Sequence, residues 1–110
     1  MPGWFELKTN DSSQFSFALK AENGDNILRS ELYETKPSAQ NGMASVQKNS
    51  PLDERYERKV AADGRFYFTL KAGNHQVIGT SPMYKTADAR DAGIASVKAN
   101  GPTEVIKEVA

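Results

Sequence analysis

The residue types that most often carry out catalysis or bind metal ions are scarce in this sequence. Its 110 residues include one histidine and no cysteine. Without cysteine the chain has no disulfide, no thiol chemistry and no zinc site built on thiolates. His75 stands beside Asn74 in a predicted hairpin turn, where a solvated side chain is more common than a catalytic residue or a metal ligand. We therefore predict no catalytic residue, no metal site and no cofactor.

Two pairs of reactive side chains recur at matching places. Ser45 and Ser96 share their sequence context, but no base adjoins either of them, so a serine nucleophile is not indicated. Glu6 and Glu57 could form a symmetric acid–base pair. The simpler interpretation is that these carboxylates pair with lysines across neighbouring strands. A small hydrolase or transferase is accordingly the least favoured hypothesis, and we predict that the protein is not an enzyme.

These matching pairs belong to an internal repeat. When the sequence is displaced by 51 residues, positions 4–51 align with positions 55–102 without a gap, and 18 of the 48 pairs are identical. Two copies of this length favour a pseudo-symmetric pair over an open array of repeats. We predict one domain over residues 1–110, with repeat one at 4–51, repeat two at 55–102 and a C-terminal strand at 104–109.

Alternation of polar and apolar residues predicts three strands in each copy. The strands are expected at residues 5–9, 15–21 and 26–30 of the first copy, and at 56–60, 66–72 and 76–81 of the second. Asp63-Gly64 is a strong signal for a reversal between strands. Asn23-Gly24 and Gly73-Asn74 tolerate the positive φ that a tight hairpin requires.

After the third strand of each copy the apolar period changes to that of a helix. The helices are expected at residues 36–48 and 87–99, with Thr35 and Thr86 as N-caps. Gly42 and Gly93 occupy the same place in both helices, which suggests close approach to the sheet.

Asn49-Ser50-Pro51 and Asn100-Gly101-Pro102 end the helices. Asn or Gly is expected to take a left-handed cap there, because proline cannot continue the helix.

These elements predict an α+β domain of two tandem β-β-β-α-β repeats that share one sheet, with both helices packed on one face. Exchange of the strand that leaves each helix would cover the open sheet edges. The predicted core consists of Phe15, Phe17, Leu19, Ile27, Met43, Val46, Phe66, Phe68, Leu70, Ile78, Ile94 and Val97.

The combined motifs resemble a known family. Both copies contain Phe-x-Phe-x-Leu-Lys-Ala, an Ile and a Ser, then Tyr-x-Thr before a helix with Gly-(Ile/Met)-x-Ser-Val, and a closing Asn-x-Pro, while the first copy also has Asn-Gly after its Lys-Ala. In this the chain resembles the duplicated form of the YegP-like family of small uncharacterised bacterial proteins. The resemblance implies two β-β-β-α-β units on one antiparallel sheet with exchanged C-terminal strands. It implies no activity.

The sheet face opposite the helices is the candidate interaction surface. Lys20, Tyr67, Thr69 and Lys71 are expected to point outward there. The leading hypothesis is a non-enzymatic binding or protein-interaction module of unknown role, although an ordinary solvated sheet face has the same pattern.

The distribution of charge supports only a weaker alternative hypothesis, the binding of nucleic acid. Fourteen basic residues balance fourteen acidic ones, so no strong overall field favours nucleic acid or acidic membranes. Repeat two nevertheless carries 8 basic and 4 acidic residues, against 5 and 6 in repeat one. Binding of RNA or single-stranded nucleic acid through repeat two is the alternative, although stacking aromatic residues are few.

No apolar stretch approaches the length that crosses a bilayer. The amino terminus also lacks a basic region followed by an apolar core. We predict a cytoplasmic monomer with no membrane partner.

Overall fold

The computed structural model of the protein describes residues 3–109. In chain order the elements are β1 (Trp4–Thr9), β2 (Phe15–Lys20), β3 (Asn26–Arg29), α1 (Lys36–Asn49), a 3-10 turn (Asp53–Arg55), β4 (Tyr56–Val60), β5 (Phe66–Lys71), β6 (Val77–Thr80), α2 (Ala87–Asn100) and β7 (Ile106–Val109). The predicted α+β fold of two tandem repeats is confirmed, and most element ends lie within two residues of the expected ones.

All seven strands form one sheet in the order β4-β5-β6-β3-β2-β1-β7. Neighbouring strands are antiparallel except β1 and β7, which run parallel with Phe5 opposite Ile106. The sheet is therefore mixed and not wholly antiparallel.

The exchange of C-terminal strands is one-sided. Strand β7 leaves the second repeat and covers β1 of the first. The segment that leaves α1 becomes β4, which pairs with β5 of its own repeat, because the chain has a single strand at that point to open the second copy.

The two repeats meet at the sheet seam between β3 and β6. A single residue pair, Arg29 opposite Thr80, joins these strands. The two residues are 51 positions apart, so they are equivalents in the two copies. The pseudo-two-fold axis consequently passes through this pair.

Both helices begin as predicted. The Thr35 hydroxyl accepts a hydrogen bond from the Ser38 N–H at 3.2 Å, and the Thr86 hydroxyl accepts one from the Ala89 N–H at 3.0 Å. Each hydroxyl thus satisfies one of the amides that a helix leaves unpaired at its start.

The helices do not end as predicted. Ser50 and Gly101 follow them with φ of −58°, so both caps are right-handed and the expected left-handed cap is wrong. Gly101 is required for another reason, since a side chain there would overlap the Ser50 hydroxyl.

The hairpin turns do use positive φ, but partly at other residues. Gly24 has φ of 91° and its repeat equivalent His75 has φ of 70°, whereas the expected sites at Gly73 and Asn74 do not. His75 is exposed in this turn, as predicted.

The core lies between the helices and one sheet face. Ten of the twelve predicted core residues are buried, Phe15 is partly buried against the core, and Phe66 is partly buried. Large buried residues absent from the prediction are Phe5, Leu7, Leu28 and Tyr56.

The helix glycines make room for aromatic rings of the core. A Cβ at Gly42 would lie 2.5 Å from the Tyr33 hydroxyl and 2.9 Å from the Phe17 ring. Gly93 faces Tyr84 and Phe68 in the same way. The predicted close approach is confirmed, with a tyrosine ring as the nearest neighbour.

Candidate functional site

The predicted interaction surface does lie on the sheet face that the helices leave open, but its four residues differ in access. Lys20, Tyr67 and Lys71 are partly exposed. Thr69 is only 5% exposed, so its assignment to an accessible surface is wrong. Alternation gave the correct face, but the side chain lies mid-sheet between Glu57 and Thr80 of the neighbouring strands.

Ion pairs occupy the lysines of this surface. Lys20 lies 3.9 Å from Glu6, and Glu57 lies 3.1 Å from Lys71 and 3.2 Å from Lys59. Hydrogen bonds from Lys71 and Lys59 lower the pKa of the Glu57 carboxyl. The cross-strand pairing expected for both glutamates is confirmed. Whether Lys20, Tyr67 or Lys71 contacts a partner stays a prediction.

A groove opens beside this surface at the seam between the repeats. If β3 and β6 paired beyond Arg29 and Thr80, residues 30–32 would face residues 77–79. The two segments instead line a concavity of about 620 Å³. We call it the seam groove, and its other lining residues are Lys8, Ser16, Phe17, Ala18, Asn26, Arg29 and Thr80.

Small side chains of repeat one leave this space open. Ser16 and Ala18 line the groove. Their equivalents in repeat two are Tyr67 and Thr69, which are bulkier. The pseudo-symmetry of the sheet is therefore broken where the groove lies.

The seam groove carries two basic side chains without partners. Lys8 and Arg29 are both exposed. Among residues 3–109 neither side chain has a hydrogen bond or an ion pair in this structure. Glu31 is the single acidic residue among the described residues that line the groove. The lining thus has an excess of unpaired positive charge.

Hydroxyl and main-chain groups complete the polar lining. Ser16 and Thr80 contribute hydroxyls. The Ser30 hydroxyl is already engaged, because it accepts from the Phe17 N–H at 2.8 Å and donates to the Glu31 carbonyl. The Glu31 and Leu32 N–H groups have no acceptor within the part of the chain that the structure describes.

Sequence reasoning missed this groove and its cations. Neither Lys8 nor Arg29 was among the candidate site residues, because the groove arises where two distant strands stop pairing. The one local signal is the difference between the copies, in which Ser16 and Ala18 replace larger residues.

The other candidate residues have structural roles. The Ser45 and Ser96 hydroxyls each lie 3.3 Å from the side-chain nitrogen of Asn49 or Asn100. Asn49 in turn accepts from Arg55 Nε, and Asn100 accepts from the Gly3 N–H. Each asparagine therefore ties a helix end to the start of β4 or β1, and the serine lies beside an amide and not beside a base.

The basic residues of repeat two are largely neutralised. Six of its eight basic side chains form ion pairs with Asp53, Glu57, Asp63 or Asp91. Asp53 lies outside the repeat as the sequence defined it and binds Lys98 at 2.7 Å. The local charge excess of the second copy is thus smaller than the count of its residues indicates.

Within residues 3–109 no group of three His, Cys, Asp or Glu side chains is placed to hold a metal ion. The described helices are also too short and too polar for any of them to span a bilayer.

Comparison with known proteins identifies the repeat. A family described as a domain of unknown function, DUF1508, matches twice, at residues 10–57 and 61–108. The UPF0339 protein YegP of Escherichia coli strain K12 is 59% identical over 108 residues, which cover 98% of each chain. A UPF0339 protein in the ptx operon 5' region of Stutzerimonas stutzeri is 50% identical over 109 residues and covers 99% of this chain and 98% of its own.

Two solution NMR structures share the fold. YegP of Escherichia coli, a protein of unknown function, superposes with a TM-score of 0.93 at 59% identity, covering 98% of this chain and 93% of YegP. A UPF0339 protein of Shewanella oneidensis superposes with a TM-score of 0.92 at 55% identity, covering 98% and 92%.

Proposed function

The chain belongs to the UPF0339 family of YegP-like proteins with two DUF1508 domains. From the geometry of its surface we propose that it is a non-enzymatic binding module whose site is the seam groove. Its relatives are uncharacterised, and no function is assigned to them. The proposal therefore depends on the geometry of the site and not on the relatives.

The unpaired cations of the seam groove carry the proposal. Most other basic side chains on the described surface have a carboxylate partner, but Lys8 and Arg29 have none and both face the same concavity. Guanidinium and ammonium groups bind carboxylates and phosphates through charge-assisted hydrogen bonds. The groove volume of about 620 Å³ also falls within the usual range of ligand sites. The ligand is accordingly anionic.

The lining supports binding without chemistry. It offers an ammonium, a guanidinium, hydroxyls and the Glu31 carboxylate, but none of its described residues is a histidine or a cysteine. Nucleophilic catalysis needs a nucleophile within hydrogen-bond reach of a base, whereas the Ser30 hydroxyl of the lining is bonded to the main-chain groups of Phe17 and Glu31. We accordingly assign the groove to recognition.

An NMR titration tests this proposal. Succinate, added to 15N-labelled protein at low salt, is expected to shift the amide signals of Lys8, Ser16, Arg29 and Thr80 and to leave those of β4 unchanged. The double variant K8E/R29E is expected to lose these shifts.

The matched control is K85E, because Lys85 is also exposed without a described ion pair but lies outside the groove. Shifts that persist in K8E/R29E, or that vanish equally in K85E, would show that the groove is not the site.

We also infer that the module works as a cytoplasmic monomer. One shared core joins the two repeats, and charged residues of β4 (Glu57, Arg58 and Lys59) discourage pairing at its free edge. Light scattering is expected to give the mass of one chain, 12.1 kDa. Fractionation of bacterial cells that express the tagged protein would locate it.

A further inference from the structure

We infer that the seam groove takes an extended, acidic segment of another protein, with alternating carboxylate and aliphatic side chains. This inference rests on the proposed function, since it names the class of partner for the same site. Three features of the groove support it, namely its open main chain, its apolar rim and the combination of its charge with that rim.

The first feature is main chain without a partner along the groove, where β3 and β6 stop pairing. Residues 30–32 and 77–79 lie on opposite sides of the groove, where an antiparallel ladder would otherwise continue. At roughly 3.3 Å per residue the wall formed by residues 77–79 of β6 is about 10 Å long. The N–H groups of Glu31 and Leu32 have no acceptor among the described residues, and an extended backbone bound in the groove would supply carbonyl acceptors beside them.

The second feature is an exposed apolar rim. Leu32 is 55% exposed and Val77 is 43% exposed, and these two residues stand on the two facing walls. A small inorganic anion would leave both of them in water. An aliphatic side chain of a bound segment would cover them, and its burial would add affinity.

The third feature is how the charge combines with this rim. Lys8 and Arg29 lie on the open face of β1 and β3, while Leu32 and Val77 stand at the groove walls. Successive side chains of an extended segment point to opposite sides. A segment with alternating carboxylate and aliphatic side chains therefore satisfies both parts of the lining at once.

RNA fits this lining less well. Single-stranded nucleic acid is held mainly by bases that stack on exposed aromatic rings. Phe17 is the one aromatic residue among the described groove residues, and its side chain is buried in the core. A phosphate backbone would also leave the aliphatic rim uncovered.

Selection from random octapeptides displayed on phage tests the inference. The wild-type protein is expected to enrich peptides in which Asp or Glu alternates with Val, Ile or Leu, after depletion on the K8E/R29E variant. A synthetic peptide of the enriched sequence is expected to bind K8E/R29E about tenfold to a hundredfold more weakly, because charge-assisted contacts are lost. Intermolecular NOEs to the Leu32 and Val77 methyl groups in the wild-type complex would place it in the groove.

The variant L32S/V77S separates the inference from the proposal beneath it. Both residues are exposed, so the fold is retained, and the peptide is expected to bind more weakly while succinate binding stays unchanged. If succinate shifts the amide signals of the groove residues but no acidic peptide is enriched, the inference is wrong and the proposed function stands. If neither succinate nor any acidic peptide binds, the inference and the proposed function are both wrong. Tighter binding of oligouridylate than of any peptide would also overturn the inference.

Discussion

At the scale of single residues, four positions within residues 3–109 hold a left-handed backbone, and they form two repeat-related pairs. Ser13 matches Gly64, and Gly24 matches His75. In each pair one copy uses glycine and the other an L-residue, with φ of 87° at Gly64 against 61° at Ser13 and 91° at Gly24 against 70° at His75. Equivalent turns of the two copies therefore show the same left-handed position occupied once by glycine and once by a residue with a side chain.

Exchange of residues within these pairs should change stability in opposite directions. Gly64→Ala is expected to lower the free energy of unfolding by about 1 kcal/mol. A Cβ there meets no atom within 4 Å, so the cost is conformational alone. Ser13→Gly should be neutral or slightly stabilising, since the native φ is already one that glycine prefers. Urea denaturation would measure both, and equal losses in the two variants would contradict this account.

Phe68 tests the inward face of β5. This ring is fully buried against Tyr56 and Tyr84, whereas Phe66 two residues earlier is only partly buried. Phe68→Ala is expected to lower the free energy of unfolding by about 3 to 5 kcal/mol, and Phe66→Ala by clearly less. Chemical denaturation of the two variants would compare them. A loss below about 1 kcal/mol for Phe68→Ala would contradict the packing.

Asp53 predicts how stability responds to acid. A hydrogen bond from Lys98 and the charges of Lys98 and Arg58 lower the pKa of this carboxyl in the folded state. A lowered folded pKa contributes stability that is present above the unfolded pKa and is lost as pH falls through the folded pKa. Stability should therefore decline below about pH 4.

The Asp53→Asn variant should be less stable than wild type at pH 7 and should converge with it near about pH 2. Denaturation at a series of pH values would measure this, with Asp11→Asn as a control at an exposed carboxyl without a described ion pair. Parallel pH curves for Asp53→Asn and wild type would show that the Lys98 contact has no linkage to folding.

At the scale of elements, β7 protects an edge of the sheet. The Phe5 N–H donates to the Val105 carbonyl at 2.9 Å, and β7 continues this parallel ladder along β1. Truncation after Thr103 would leave β1 as a bare edge, which favours association between chains. In the truncated chain we expect the Phe5 amide hydrogen to exchange with solvent at least about tenfold faster than in wild type. Light scattering of the truncated chain should give a mass larger than that of one chain. Lys107→Ala keeps the β7 main chain and should change neither the exchange rate of the Phe5 amide nor the mass.

Most of the elements could be predicted from local sequence, and the seam groove could not. Strands β2 and β5 are marked by their own polar alternation, and each helix start is marked by its own threonine, Thr35 or Thr86. These elements can therefore be predicted from the residues that form them. The burial of Thr69 depends on neighbours in β4 and β6, which a linear pattern does not show. The groove depends on where β3 stops pairing with β6, at the junction of two distant segments.

At the scale of the whole molecule, the pseudo-two-fold axis forces equivalent residues to meet. Leu28 and Gly79 are equivalents 51 positions apart, and a Cβ at Gly79 would lie 2.6 Å from the Leu28 side chain. Ser50 and Gly101 meet in the same way at the helix ends. At each contact one copy supplies the larger residue and the other supplies glycine.

A double-mutant cycle tests this arrangement. Leu28→Ala should cost about 2 to 5 kcal/mol by leaving a cavity, and Gly79→Leu should cost at least about 1 to 3 kcal/mol by overpacking. The double variant should lose clearly less than the two single losses combined, because the new leucine occupies the space that the first change empties. Urea denaturation of the three variants gives the coupling energy. Strict additivity would show that these residues do not share one space.

The contact of Leu28 with Gly79 also restricts the evolution of this molecule. Two separate copies of the first repeat would bring leucine against leucine at the axis, and two copies of the second would leave a void there. Two copies of either half would therefore pack less well at this contact than the two different repeats do. Divergence at the axis thus makes each repeat the specific partner of the other, because leucine in one copy fills the space that glycine leaves in the other.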